Sequence, residues 1–276
     1  MNGPERLEQH VGRLTTSAGA FFPGERAVFR GYDLHTTLKN LGWLEIFLLG
    51  VTGRRFTPQQ ISVVQALWCY TSYPDARLWN NRVAALAGTA RSTGTLGITA
   101  ALAVSEAGIY GGIVEQRASE FMIRTKICMD EGANLEEIVR AELKKRRGIA
   151  GYGRPIVAAD ERIAPVMKLV HELGLDEGPH FKLAFEVEKI LLEGRWRMRM
   201  NYVALSAALC SDMGMSPREY YFASMIAFLG GMSPCYLDAV EKSEGLLFPL
   251  PCRMLSYQGV GHRRWRDGKS DIQDAG

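Results

Sequence analysis

The sequence is poor in the features that mark nucleic-acid and membrane proteins. Lysine and arginine exceed aspartate and glutamate by only three residues, 33 against 30, and the basic residues do not alternate with aromatics as they do in single-strand binders. Residues 1–10 are polar and lack the apolar core of a secretory signal, and apolar runs such as 202–210 are too short to span a bilayer. We therefore expect a cytoplasmic protein without nucleic-acid or membrane partners.

Cysteine and histidine are also scarce, with five residues of each. The cysteines are scattered and form no CxxC pair, a pattern that favours reduced, mostly buried thiols and argues against a zinc site. No cluster of His, Asp and Glu has the spacing of metal ligands. The expectation is that the protein holds no metal and no tightly bound cofactor.

Helical periodicity is the dominant pattern that is present. Leucines recur every three or four residues through 34–50, which predicts one helix over that range. Residues 57–60 (TPQQ) and 216–219 (SPRE) each combine a capping hydroxyl, a proline in the first turn and a Gln or Glu three residues on, which predicts two helix starts. A short strand is predicted only near 27–29. The sequence therefore predicts an all-α protein.

Two glycine-rich stretches interrupt the helices. Residues 93–112 are rich in Gly and Ala, and because small residues let helices approach closely, we predict a buried central hairpin there. Residues 148–159 contain Gly148, Gly151, Gly153 and Pro155, which predicts a loop where a ligand approaches the backbone. The polar residues 262–276 lack periodicity and predict a mobile tail.

Several segments, in order, resemble motifs of the citrate synthase superfamily. Residues 30–33 (RGYD) resemble a motif near the start of citrate synthases and citryl-CoA lyases, and 106–112 (EAGIYGG) resemble the segment that ends in HGG or HGA. Residues 151–155 (GYGRP), followed by 160–162 (DER), resemble the GFGHP loop and its DPR tripeptide. Weaker likenesses are 200–203 (MNYV) to PNVD and 253–259 (RMLSYQG) to RPxxxYxG. The length is most like that of the compact citryl-CoA lyases.

The resemblance implies a citrate synthase-like fold with a large and a smaller helical domain and an active-site cleft between them. We place the first part of the large domain at 1–150, the small domain at about 151–245, and the return to the large domain with the tail at 246–276. The resemblance also implies a homodimer built on packed central helices, a coenzyme A thioester as substrate and a carboxylate-bearing partner. The reaction would form or break a carbon–carbon bond or transfer the acyl group.

The catalytic side chains of that family are replaced in this chain. In the family an aspartate removes a proton from the acyl-CoA methyl group, one histidine donates a hydrogen bond to the thioester oxygen, and a second histidine assists at the carbonyl partner. Tyr110, Arg154 and Val203 stand at the positions of the two histidines and the aspartate, and Ala76 stands at a further histidine position. Valine cannot accept a proton, so another group supplies the base or enolisation does not occur.

The replacements have two interpretations that the sequence leaves open. Tyr110 and Arg154 act in catalysis, since tyrosine donates hydrogen bonds and arginine holds carboxylates bidentately. Otherwise Tyr110 is a packed tyrosine and Arg154 pairs with a nearby carboxylate of the loop. Arg162 matches a family arginine that contacts the carboxylate substrate, and a cleft with Arg154, Arg162 and Arg253 would attract an anion.

Further polar residues complete the predicted site. Asn80, Asn81, Arg82 and Asn201 are candidates for substrate binding, although asparagine also caps helices well, and we expect one of Asn80 and Asn81 to do so.

The predicted site for the coenzyme A phosphates comprises Lys144, Lys145, Arg146, Arg147, Gly151 and Gly153. The basic run has an equally acceptable interpretation as a solvated helix end that the helix dipole stabilises.

Two functions follow. The first is an acyltransferase or citryl-CoA lyase-like enzyme with altered residues, which the retained glycine loop favours. The second is a non-catalytic relative that binds a CoA ester, a carboxylate or a partner protein. A helical scaffold unrelated to thioesters would require a fold without the paired central helices.

Overall fold

Helices dominate the structure, a computed structural model that describes residues 3–12, 14–154, 159–247, 251–261 and 263. The helices within these residues are α1 Gly3–Glu8, α2 Trp43–Thr52, α3 Pro58–Thr71, α4 Trp79–Thr89, α5 Gly94–Val104, α6 Gly112–Asp130, α7 Leu135–Arg146, α8 Ile163–Glu172, α9 Pro179–Glu193, α10 Tyr202–Asp212, α11 Pro217–Met225 and α12 Leu229–Val240. Single 3₁₀ turns lie at Ile226–Phe228 and Cys252–Met254. The all-α prediction is confirmed. The predicted domain boundaries stay a prediction, and the predicted tail lies outside the described residues apart from Arg263.

Two small antiparallel sheets accompany the helices. Strands β1 Gly19–Phe22, β2 Arg26–Phe29 and β3 Tyr32–Asp33 form one sheet, and β4 Glu106–Ala107 pairs with β5 Tyr110–Gly111 in a tight turn. The strand predicted near 27–29 is part of β2, whereas β1 was not predicted.

The two helix starts that the sequence predicts from a capping hydroxyl, a proline and a Gln or Glu are present in the structure. At Thr57 the hydroxyl accepts from the amide of Gln60 at 3.2 Å, and the Gln60 side chain accepts from the amide of Thr57 at 2.9 Å. Ser216 and Glu219 make the same reciprocal pair. Both predicted starts, of α3 and α11, are confirmed.

The helix predicted over 34–50 is wrong in its first half. The carboxylate of Asp33 accepts from the amides of His35 and Thr36 at 3.0 and 2.9 Å, and this turn competes with a helix for the same backbone groups. The helix begins only at Trp43, where the side chain of Glu45 accepts from the amide of Gly42 at 2.8 Å.

The core forms around α10. Nine of its eleven residues are buried, and it packs against α6, α9 and α11. Close by, Pro217–Val240 forms a 24-residue helical stretch that is long and apolar enough to cross a membrane by length and composition alone. The prediction that apolar runs are too short does not hold for this stretch. Within this stretch, Tyr220, Ala223 and Met232 are buried in the protein interior.

The predicted central hairpin comprises α5, β4, β5 and the start of α6, and it packs on one side only. A Cβ on Gly97 would lie 2.7 Å from the Cβ of Ala87, so the glycine allows α4 and α5 to approach closely. Only Gly97 and Ala101 of α5 are buried. The expectation of a buried hairpin is therefore wrong for the single chain, because its outer face is exposed.

Candidate active site

The glycine loop is fastened to the start of α10. The amide of Asn201 donates to the carbonyl of Gly151 at 2.9 Å, and the side-chain amide of Asn201 donates to the carbonyl of Gly153 at 2.8 Å. Gly151 has φ +89°, and a Cβ there would lie 2.6 Å from Ala204, so the position requires glycine. The other polar atom of Asn201, its side-chain oxygen, caps α10 by accepting from the amide of Val203 at 2.9 Å. The side chain of Asn201 therefore holds the loop with its amide and caps α10 with its oxygen.

Arg154, at the end of the loop, is paired within the chain. Its Nη1 donates to Oε2 of Glu161 at 2.7 Å and to the carbonyl of Ala159 at 3.0 Å. The hydroxyl of Tyr73 donates to the other carboxylate oxygen of Glu161, also at 2.7 Å. The hydrogen bonds from Arg154 and then Tyr73 lower the pKa of Glu161 to about 2. Residues 155–158 of the loop, including Pro155, lie outside the described part.

Arg162 is also paired, and its partner is fully buried. Its Nε and Nη2 donate to the two oxygens of Asp160 at 2.9 and 2.8 Å, and the amide of Tyr202 donates to the same carboxylate at 2.9 Å. Burial raises the pKa of Asp160, but the hydrogen bonds from Arg162 and Tyr202 outweigh it and lower the pKa to about 2. The guanidinium lies 4.2 Å from the ring centroid of Tyr202 and 5.5 Å from that of Tyr73.

These two pairs change the predicted electrostatics of the cleft. Arg154 and Arg162 lie close together, since Nη1 of Arg154 is 3.9 Å from Oδ1 of Asp160. Their two positive charges are balanced by Asp160 and Glu161, so the expectation of a strongly cationic pair is wrong. Arg253 is exposed in its 3₁₀ turn, and no contact with these groups is found among the described residues.

Tyr110 lies in the turn between α5 and α6, packed among aromatic rings. Its ring centroid is 5.3 Å from that of Trp79 and 6.2 Å from that of Phe228. Its hydroxyl donates to Oδ1 of Asn80 at 3.4 Å. Burial raises the pKa of Tyr110 most, the charge of Glu115 raises it further, and that of Arg162 lowers it. Tyr110 is therefore a protonated hydrogen-bond donor near neutral pH, in the same electrostatic surroundings as Arg162 and Glu115.

The three polar residues in the first turn of α4 differ in solvent exposure. Asn80 is buried and donates to Oγ of Ser105 at 3.1 Å. Asn81 is buried and donates to the backbone carbonyls of Tyr73 and Asp75, which fixes the segment that carries Tyr73. Arg82 is exposed. We expected one asparagine to cap α4. The N-cap residue is Leu78, but Oδ1 of Asn80 does accept from a first-turn amide, that of Asn81, at 2.8 Å.

The basic run forms the exposed end of α7. Lys144, Lys145 and Arg146 lie in its last turn, and Arg147 follows in the left-handed conformation with φ +58°. Nε of Arg146 lies 3.0 Å from Oε1 of Glu142, its neighbour one turn back. The placement agrees with both interpretations of the run, because the cations stabilise the helix end and remain accessible to an anion.

Glu115 is an ionisable residue of this region that sequence reasoning missed. It lies in the first turn of α6, is only 4% exposed, and accepts a hydrogen bond from the hydroxyl of Ser224. Burial raises its pKa to about 7, although Ser224 and the charge of Arg162 act in the opposite direction. Glu115 lies three and four residues before Ala118 and Ser119, and all three are buried on one face of α6. The sequence alone does not mark that face as buried.

A small cavity borders the Glu115 carboxyl group. Its volume is about 20 Å³, enough for about one water molecule. The lining comes from α3, α6, α10, α11 and the 3₁₀ turn after α11, and it is mainly apolar. Its polar side chains include Thr71, Glu115, Tyr202, Ser206, Cys210, Tyr220 and Ser224. Burial raises the pKa of the Cys210 thiol to about 12, which excludes a reactive thiolate near neutral pH. Among the described residues, no three His, Cys, Asp or Glu are grouped to hold a metal ion.

The fold matches three kinds of solved enzyme structure. The citryl-CoA lyase of Hydrogenobacter thermophilus superimposes with a TM-score of 0.81 at 20% identity, over 92% of this chain and 97% of that chain. The chain has the citrate synthase fold. The ATP citrate lyase of Methanothrix soehngenii, solved with citrate and coenzyme A, matches with a TM-score of 0.71 at 16% identity, over 95% of this chain and 45% of that one.

Citrate synthase from Thermoplasma acidophilum, solved with carboxymethyl coenzyme A and oxaloacetate, matches the same fold with a TM-score of 0.62 at 19% identity, over 82% of this chain and 59% of that one. No family model and no curated protein matches the sequence. Identities this low establish the citrate synthase fold and leave the activity to be argued from the chain's own residues.

Proposed function

We propose that this citrate synthase-fold protein acts on an acyl thioester of coenzyme A together with a carboxylate-bearing partner. The reaction forms or breaks a carbon–carbon bond next to the thioester or transfers the acyl group, in the cytoplasm. The observation that carries the proposal is that Tyr110, a protonated phenol, and Glu115, a buried carboxyl group with a pKa of about 7, both lie within the electrostatic range of Arg162. The comparison proteins solved with coenzyme A and citrate support the choice of substrate.

Each group has a role that suits such a reaction. Tyr110 donates a hydrogen bond to the thioester oxygen, where negative charge develops when an α-proton leaves. Glu115 accepts that proton and replaces the carboxylate missing at Val203. Arg162 holds the partner carboxylate with the donor that Asp160 leaves free, and Arg154 holds it with a guanidinium whose present partner, Glu161, is exposed and exchangeable. The site thus retains a base and an oxyanion donor of different residue types.

The coenzyme portion has a proposed place beside the same loop. Lys144, Lys145, Arg146 and Arg147 are exposed cations four to nine residues before Gly151 and Gly153, and they bind the phosphates as point charges or as planar forks. Asn80 and Arg82 complete the polar border at α4.

The direct test is a panel of acyl-CoAs incubated with the purified protein and followed by mass spectrometry, including citryl-CoA cleavage and acetyl-CoA condensation. We expect Tyr110→Phe to lower turnover by roughly 10- to 100-fold, because the oxyanion loses its donor. The substitution keeps the ring contacts with Trp79 and Phe228, so the melting temperature stays close to that of the wild type. Wild-type turnover in the Phe variant would remove Tyr110 from the mechanism.

A non-catalytic binding protein is the second candidate, favoured by the internal neutralisation of both cleft arginines. It predicts that a CoA ester or carboxylate raises the melting temperature without being converted, since a ligand that binds only the folded state stabilises it. Conversion of any acyl-CoA by pure protein decides against it.

We also propose a homodimer formed through the outer face of the central hairpin. This face carries apolar side chains that a single chain leaves in solvent, with Leu96 65% and Ile109 80% exposed. Such a patch is typical of an interface.

Leu96→Asp is expected to weaken dimerisation by at least about tenfold, because a charge replaces an interface contact. Light scattering after gel filtration measures the mass. Leu14→Asp is the matched control, because Leu14 is 94% exposed at a distant part of the sequence, and this variant should remain dimeric. A wild type that is monomeric at all concentrations would contradict the proposal.

A further inference from the structure

Glu161 and Asp160 are adjacent in sequence but are held in different ways. The side chain of Asp160 is 0% exposed, whereas that of Glu161 is 59% exposed. Asp160 binds Arg162 bidentately and also accepts from the backbone of Tyr202. Among the described residues, the hydrogen bonds to the Glu161 carboxylate come from the ends of two side chains, Arg154 and Tyr73. Asp160 is therefore part of the protein interior. The side chain of Glu161 can move away from Arg154 and Tyr73 without exposing buried residues to solvent.

The two partners of Glu161 form a receptor for a carboxylate. Nη1 of Arg154 and the hydroxyl of Tyr73 each donate to a different oxygen, both at 2.7 Å. The remaining nitrogens of Arg154, Nε and Nη2, have no acceptor among the described residues, so its guanidinium fork is only partly used. An arginine fork with a phenol beside it provides donors for any carboxylate of similar size.

We propose that Glu161 is a built-in competitor whose carboxylate takes the place of the substrate's carboxylate on Arg154 and Tyr73. The inference rests on the function proposed above and names the regulation of that site. Binding of the partner carboxylate requires Glu161 to rotate toward solvent, which its exposure permits. The competitor weakens binding of the partner carboxylate. The apparent Kd equals the intrinsic Kd divided by the fraction of molecules in which Arg154 is free. The competitor also keeps Arg154 from retaining weakly bound anions.

The affinity for free citrate, measured by titration calorimetry in a buffer without carboxylates, tests the inference. If Arg154 is free in about a tenth of the molecules, Glu161→Ala binds citrate about tenfold more tightly than the wild type. Glu161→Gln gives a smaller gain, because its amide still occupies the place without the charge. The same chain with Glu172→Ala, which removes an exposed glutamate of α8, is the control for net charge and should bind as the wild type does.

The double variant Glu161→Ala with Arg154→Ala separates competition from a general charge effect. The tenfold gain must disappear in it, since the receptor itself is gone. An unchanged or weaker affinity in Glu161→Ala, or a gain that survives the loss of Arg154, would overturn the inference. Acyl-CoA turnover measured on the wild type decides the proposed function separately, because it does not depend on how the Ala variant binds citrate.

Discussion

Replacing Glu115 by glutamine is expected to lower acyl-thioester turnover by at least about 100-fold. Glutamine fills the same space and still accepts a hydrogen bond from Ser224, but it cannot take up a proton. Steady-state kinetics on the acyl-CoA that the wild type converts measure the effect. Glu120→Gln is the matched control, since Glu120 is an exposed residue of the same helix. Turnover in the Glu115 variant within about threefold of the wild type would mean that no proton passes through it.

The pH dependence of kcat/KM distinguishes a loss of the base at Glu115 from misfolding of the variant. The pKa of Glu115 is raised to about 7, and a base acts in its ionised form. Wild-type kcat/KM should therefore rise as pH increases through about 7 and level off above it. Residual activity of the glutamine variant should lack this rise. A wild-type profile that declines through the same range would instead make Glu115 a general acid.

The stability of the glutamine variant should move in the opposite direction to its activity. Glu115 is raised from an ordinary pKa of 4.5 to about 7, so ionisation above the unfolded value favours the unfolded chain. The resulting penalty is absent below pH 4.5 and complete above about 7. Urea unfolding at about pH 8 should find the glutamine variant more stable by roughly 2–3 kcal/mol, and the gain should shrink toward pH 5. The wild type thus retains a destabilising carboxyl group, as expected of a functional site.

A structural feature could be predicted from the sequence when the residues that determine it are close together in the chain. The starts of α3 and α11 are set by residues within one turn, and the sequence predicts both. The start of α2 depends on the choice between a turn at Asp33 and a helix, and the leucine spacing does not reveal which one is more stable. The outer face of α5 looked like core because its residues are small and apolar. Whether a second chain covers that face is not encoded in its periodicity.

Parts of the candidate site could likewise be predicted from the sequence, and other parts could not. The sequence placed Tyr110, Arg154 and Arg162 in one region because their order matches that of a known fold. The partners of both arginines come from residues 160 and 161 after the chain turns back, and sequence order does not distinguish them from free carboxylates. Glu115 was missed because one glutamate in an otherwise polar helix segment resembles a surface residue. Only packing against Tyr202 and Tyr220 shows that it is buried.

Replacing Arg162 by alanine is expected to destabilise the fold by about 3–5 kcal/mol at neutral pH, because the fully buried Asp160 loses its bidentate partner and keeps only the more distant Arg154. Urea unfolding measures this change. Arg140→Ala is the control, since it removes an exposed arginine paired with Glu136, and such pairs contribute about 0–1 kcal/mol. Adding Asp160→Asn to Arg162→Ala should recover a good part of the loss, because the orphaned charge is removed while the Tyr202 amide keeps an acceptor. A loss below about 1 kcal/mol in the single variant would contradict the interpretation.

The pH dependence of this loss follows from the lowered pKa of Asp160. The pKa is about 2 in the folded protein against an ordinary 3.8, so the ion pair contributes stability above the unfolded value and loses it as pH falls toward 2. The difference in the free energy of unfolding between wild type and Arg162→Ala should therefore narrow below about pH 4.

The ion pair with Asp160 also limits how Arg162 can bind a substrate. Two of its nitrogens are committed to Asp160 and its guanidinium lies against the Tyr202 ring, so a substrate carboxylate meets only Nη1. Arg154 therefore supplies the fork that exchanges partners.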